Sequence, residues 1–225
     1  MKLSRFLVRL KSEVPSINQI GATDDQLTDI LNEGVDKVNV FTKVYKGYTD
    51  FAIEAEKQIY NLSTVVPTFL GISKPGVFFK DSNSAWQVVY PKTLAWLSKT
   101  YPTFLNASSV AVPKWYWQEG DDLGFHNKPS TSLANGCRIY HLKKGTPMSS
   151  GDHYPFTGST TQITAFEPLD DGILAYAKWQ LTPAFGKMID IDLGEQRFLK
   201  ECRKGAKQIK RRPDLTLDSS YGIRI

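Results

Sequence analysis

No apolar run in this 225-residue sequence approaches the roughly 20 residues needed to span a bilayer. The first stretch, Met1 to Val14, alternates Lys and Arg with Leu and Phe at helical spacing instead of placing charge ahead of an apolar block, so it does not read as a secretory signal. Both absences predict a soluble protein with no membrane partner. Cysteine is scarce: Cys137 and Cys202 are the only two, and a chain of this length needs no disulfide to fold. Free buried thiols in a reducing cytoplasm are expected. Histidine is also scarce, with only His126, His141 and His153.

Motifs that announce an enzyme are also missing. There is no Gly-x-Gly-x-x-Gly, no phosphate loop ending in Gly-Lys-Ser/Thr, no Gly-x-Ser-x-Gly elbow and no His-Glu-x-x-His. Cys137-x-x-x-His141 has the spacing of half a zinc site, but no second pair exists to complete it. Asp121 with Asp122, and Asp190 with Asp192, could pair for carboxylate catalysis, yet aspartate is favoured in turns and at helix starts on local hydrogen bonding alone. No catalytic group, cofactor or metal is expected.

What the chain does contain is 41% hydrophobic and 12% aromatic residues, enough for a real core. Leu3, Phe6, Leu7, Leu10 and Val14 form one helical stripe that Pro15 ends. A second helix opens at Thr23 with a Thr-x-x-Gln capping box to Gln26, and its stripe runs from Leu27 through Ile30, Leu31, Val35, Val38 and Phe41 to Tyr45. After Gly47 the period changes to two, as in Phe51, Ile53 and Ala55. Strands are expected near 68–72, 77–80, 86–90, 114–118 and 137–142, separated by turn-forming clusters at 73–76 and 127–136. One short helix is expected between, with Pro91 in its first turn and Pro102 beyond its end. Helical spacing returns with Leu169, Ile173, Leu174, Ala177 and Leu181, preceded by Asp170 and Asp171 where the helix dipole favours negative charge. Pro183 should kink or end it.

The last helix opens near Asp190 or Asp192 and places Leu199, Cys202, Ala206 and Ile209 on one face. Its other faces are basic. Between Arg197 and Arg212 stand Arg197, Lys200, Arg203, Lys204, Lys207, Lys210, Arg211 and Arg212 against the single acid Glu201. With a whole-chain charge of +5, that segment's +7 leaves about −2 elsewhere, so the basic character is local and points to an acidic partner surface or nucleic acid there. Trp115, Tyr116 and Trp117 could stack nucleobases or sugars, but alternation in a strand sends the tryptophans one way and the tyrosine the other, which suits core or interface packing better.

The order of elements predicts an α+β fold: a helical bundle formed by the N- and C-terminal helices (1–47 and 168–212), an inserted β-rich module (48–167) and a flexible C-terminal arm (213–225). Several segments then follow one another in a characteristic order. They are Ile30-Leu-Asn-Glu-Gly running to Phe41-Thr-Lys, Tyr60-Asn-Leu-Ser with Val66-Pro, and Leu94-Ala-Trp-Leu-Ser-Lys-Thr-Tyr-Pro. After them come Val112-Pro-Lys-Trp-Tyr-Trp, Cys137-Arg-Ile-Tyr-His-Leu, and Pro168-Leu-Asp-Asp-Gly-Ile-Leu-Ala-Tyr-Ala-Lys-Trp. This set, from about Thr23 to Arg212, resembles the head-tail adaptor (head-completion) proteins of tailed bacteriophages, especially podovirus-like ones. Met1 to Pro15, the Ser/Thr-rich stretch 149–164 and the tail after Pro213 depart from the pattern.

The resemblance implies a structural virion protein made in the host bacterial cytoplasm. It implies a ring of twelve copies below the portal protein, contact with tail or nozzle proteins, and genome DNA passing through the channel without specific recognition. The implied portal-binding element comprises Arg197, Arg203, Lys204, Lys207, Lys210, Arg211, Arg212, Tyr221 and Ile225. A competing reading is a nucleic-acid-binding protein that uses the basic helix and the aromatic strand, with a steep salt dependence. A third is an enzyme with an unfamiliar site around the three histidines.

Overall fold

The computed structural model describes residues 1–15, 17, 21–81, 84–105, 110–181 and 189–210. Among them are six α-helices and one seven-stranded sheet, in two compact units, 1–45 with 144–225 and 46–143. No helix of the described residues is long and apolar enough to cross a membrane.

In the first unit, α1 (Leu3–Glu13) buries Leu3, Phe6 and Leu10, the inner edge of the stripe read from its sequence. The second helix, α2 (Asp24–Thr42), starts on the expected capping box: the Gln26 amide donates to Thr23 Oγ1 at 3.3 Å and the Thr23 amide donates to Gln26 Oε1 at 3.0 Å. It stops earlier than the apolar spacing suggests. Lys43 takes a left-handed conformation (φ 57°), and Asn39 grips the turned chain by donating to the Tyr45 carbonyl at 2.8 Å and accepting from its amide at 2.7 Å.

The α3 turn (Leu62–Val65) and α4 (Leu94–Thr100) belong to the second unit; α5 (Asp170–Leu181) and α6 (Ile189–Lys210) return to the first. Helix α4 is capped by Thr93, whose hydroxyl accepts from the Trp96 amide at 3.2 Å, while Pro91 ends a strand instead of entering the helix. Asp170 and Asp171 do occupy the first turn of α5. They also anchor α1, Asp170 through the Met1 amino group and Asp171 through Arg9 at 2.8 Å. The bend expected at Pro183 lies outside the described residues.

The expectation of a helical bundle carrying a β insert is overturned. The protein is a mixed α/β fold in which a curled seven-stranded sheet has its own core. Its strands are β1 (Lys46–Ile53), β2 (Ile59–Asn61), β3 (Phe69–Lys80), β4 (Trp86–Pro91), β5 (Trp115–Glu119), β6 (Asp122–Phe125) and β7 (Leu133–Lys143), in the order β1-β7-β3-β4-β5-β6-β2. All neighbours are antiparallel except β4 and β5, where Tyr90 lies opposite Trp115.

The reason is long-range pairing. Ser73 to Gly76 reads as a turn, yet β3 runs through it with only a register shift between Ile72 and Val77, because β7 pairs on both sides of the irregularity. Asn127 to Gly136 also reads as a loop, but β7 begins within it, at Leu133, opposite Ile53. Strand β6 is too short to register as a periodic run. Its Gly124 has a specific job: a Cβ there would overlap the Trp117 indole across the hairpin, and that indole is itself packed with Leu97 and Phe104. Gly124→Ala is expected to cost about 1–2 kcal/mol by overpacking, read as a lower midpoint in urea unfolding with an unchanged slope.

Candidate functional site

Helix α6 carries most of the residues predicted from sequence to bind a partner. Its apolar edge is Phe198, Leu199, Cys202, Ala206 and Ile209, with Phe198 and Cys202 buried. Small residues let it come close to its neighbours: Gly205 lies against the Pro168 carbonyl, Cys202 sits against Gly172, and Gly194 lies under Trp179. Phe198 stacks on Trp179 at 6.0 Å and meets Tyr176 edge-on at 5.5 Å.

That seating leaves the cations outside. Arg197, Lys200, Arg203, Lys204, Lys207 and Lys210 are all exposed. Arg203 leans toward the Phe41 ring at 6.0 Å and Lys204 pairs with Glu201 at 3.2 Å. Among the described residues Arg197, Lys200, Lys207 and Lys210 have no carboxylate partner. A shallow concavity follows the stripe past Gln196, Lys200, Arg203, Lys204 and Lys207. Arg211, Arg212, Tyr221 and Ile225, also expected in this element, lie outside the described residues.

The aromatic strand divides as alternation requires. Tyr116 enters the sheet core, while Trp117 and Trp115 turn to the other face, where α4 covers them with Leu94, Trp96 and Leu97. Trp117 is 5% exposed, so it offers no open stacking platform.

Sequence reasoning missed a second surface. The sheet's core face holds Phe51, Ile53, Val77, Phe79, Val89, Cys137 and Ile139. The opposite face is also aromatic, carrying Tyr48, Phe78, Trp86, Tyr90 and Tyr140 with Val88 among them. Of these, Tyr48, Val88 and Tyr90 are 42%, 43% and 56% exposed. Arg138 lies in its middle, forked onto Asp50 by two 2.7 Å hydrogen bonds, with its guanidinium carbon 4.4 Å from the Tyr48 ring centre and 4.7 Å from that of Trp86. The available signal was parity: in Cys137-Arg-Ile-Tyr-His-Leu, bulky residues occupy both alternating positions, so both faces of β7 need cover.

The remaining sequence candidates do not come together. Cys137 and His141 share one face of β7 but stand four residues apart, roughly 13 Å in an extended strand, too far to ligate one ion. Among the described residues no group of three or more His, Cys, Asp or Glu is placed to hold a metal. Burial pushes the Cys137 thiol well up and the Cys202 thiol up to about 12, so both stay protonated at neutral pH. Asp121 and Asp122 are exposed at the β5–β6 hairpin, and Asp190 and Asp192 fall in the first turn of α6.

His126 and His141 are buried as neutral rings. His141 bridges the Thr49 hydroxyl and the Leu142 carbonyl, both at 3.0 Å, while Nδ1 of His126 accepts from the Trp115 amide at 3.3 Å. Burial holds both below the ordinary 6.5. Depressed histidine values mean the unfolded chain binds the proton first. The stability they support is therefore complete above about pH 6.5 and is lost as pH falls from there toward their folded values. Asp36 and Asp170, raised by burial, act with opposite sign in the window just above 3.8. Urea unfolding at about pH 7.5 and about pH 5 should show the lower midpoint at the acid value, a difference reduced in His126→Gln.

Comparison with protein-family models matches no family, and comparison with curated proteins gives no match.

Proposed function

We propose that this protein is a structural subunit of a tailed-phage particle, a head-to-tail adaptor whose copies, twelve to a ring, join the portal to the tail and let DNA pass. The ordered sequence motifs from Thr23 to Arg212 support the family. The observation that carries the partner surface is α6: a helix held by its apolar edge, with Arg197, Lys200, Lys207 and Lys210 on its outer side lacking a carboxylate partner among the described residues, leading in sequence directly into 211–225. Such a helix suits an acidic protein surface, and the ring subunit needs no catalytic group. Purified portal rings should retain the full chain on a column, and retention should weaken as salt rises because the exposed cations are screened. No retention at low salt would remove the reading.

The same four cations favour a second reading, nucleic-acid binding by α6. It predicts binding to free duplex DNA with a steep salt slope, whereas an adaptor through which DNA slides should bind free DNA weakly.

A further inference from the structure

We infer that the aromatic face of the sheet receives the acidic β5–β6 hairpin of a second copy of this chain, making the head-to-tail contact that closes a ring. The inference rests on the adaptor reading for its ring and on the second unit alone for its surfaces. A soluble subunit rarely leaves Tyr48, Val88 and Tyr90 in water on one apolar face, linked across β7 and β3 by Tyr140 and Phe78, unless something covers them, and aromatic residues with arginine are the usual composition of an interface centre.

Charge identifies the occupant. With Arg138 neutralised by Asp50, two cations on this face have no carboxylate partner among the described residues: Lys80, whose Nζ lies 5.7 Å above Trp86, and Lys92, 4.3 Å from the Trp96 ring centre and 5.0 Å from that of Trp115. They mark the two ends of β4, so the strip between them is apolar with a cation at each end. The complementary element is in the same unit. The hairpin tip carries Glu119, Asp121 and Asp122, all exposed, with no lysine or arginine from Gln118 to Gly124 and no ion pair among the described residues.

The tip extends past the end of β4 and is flanked on its other side by β2, where Asn61 lies opposite Asp122 and the Leu62 amide donates to the Asp121 carbonyl at 2.7 Å. Because β5 runs parallel to β4 and starts where β4 ends, Gly120 stands roughly 16 Å beyond Trp115 along the strand direction. A receiving face and an acidic tip at different places on one subunit can pair reciprocally about a twofold axis or heterologously, one copy's tip on the next copy's face. The adaptor reading selects the heterologous arrangement, the one of the two that can close into a ring.

The test is a charge swap in the full chain, followed by sedimentation velocity over a concentration series. Lys80→Glu with Lys92→Glu, and separately Asp121→Lys with Asp122→Lys, should each weaken self-association by at least about tenfold through like-charge contact. All four substitutions in one chain should restore it, which no folding defect could do. A wild-type chain that stays monomeric to its solubility limit, reversals without effect, or a fourfold variant as weak as the doubles would overturn the contact. The adaptor reading fails on a different readout, absence from the virion, which would leave a rescued self-association standing.

Discussion

Removing Pro213 to Ile225 is expected to abolish the proposed binding to the portal protein and to leave the thermal midpoint of the remaining chain unchanged. The second half of this expectation follows from packing. Among the described residues, those that seat α6, from Gly194 through Phe198, Cys202 and Gly205 to Ile209, lie upstream of the cut. The first half follows from the adaptor assignment of Arg197 to Ile225. The deleted residues carry only Asp214, Asp218 and Arg224, so the truncation removes almost no charge; a loss of binding would report lost contact by residues such as Tyr221 and Ile225. A loss of affinity of about a hundredfold or more is the scale expected when anchor residues are removed from an interface. Lys204→Glu with Lys207→Glu in the full chain should weaken binding separately and reduce its salt dependence, because these cations are exposed and their attraction is screened. Pull-down on portal rings together with calorimetry of the same samples distinguishes the cases, and truncation with full retention of binding would remove the tail from the interface.

Gly205→Val should destabilise the protein by about 3 kcal/mol. A Cβ at this position overlaps the Pro168 carbonyl oxygen and comes within 3.0 Å of Leu169 Cδ2. The obstacle is backbone, held in the short 3-10 turn Thr164–Leu169 that leads into α5, so it cannot rotate aside. Helix propensity acts the other way, since replacing a helical glycine by alanine ordinarily gains about 1 kcal/mol. Gly205→Ala therefore separates the two terms: a net loss means contact outweighs propensity, and a gain would show that α6 is not pressed against Pro168. For a chain of this size a 3 kcal/mol loss corresponds to a fall in Tm of roughly 6–12 °C. Because the same contact fixes the direction in which Lys200, Lys204 and Lys207 point, the valine variant should also lose partner binding.

The helices were largely legible because their causes are local. The Thr23–Gln26 capping box, the Leu3–Phe6–Leu10 stripe and the aspartates opening α5 depend on neighbours three or four residues away, and each is found where its spacing places it. Strand continuity depends on partners far along the chain. Pro75 and Gly76 are sound turn signals, and only the pairing of Val77 with both Ile139 and Val89 explains why β3 continues past them. That is also why a bundle with an insert was the wrong architecture: short apparent strands became one sheet when β7 and β3 joined through positions that read as loops.

The candidate site divides in the same way. Charge on α6 is a count, and counting finds it. The aromatic outer face is a product of register, since Asp50, Arg138, Phe78 and Val88 become neighbours only when β1, β7, β3 and β4 are aligned. Gly124 and Gly205 likewise look like ordinary glycines until Trp117 and Pro168 are placed against them.

The most direct test of the central claim is the copy number of this protein in purified virions, by quantitative mass spectrometry against the portal protein. A connector subunit gives a ratio near one to one, and the ratio should hold in particles carrying tails. Absence from the particle would contradict the adaptor assignment and transfer the basic face of α6 to the nucleic-acid reading.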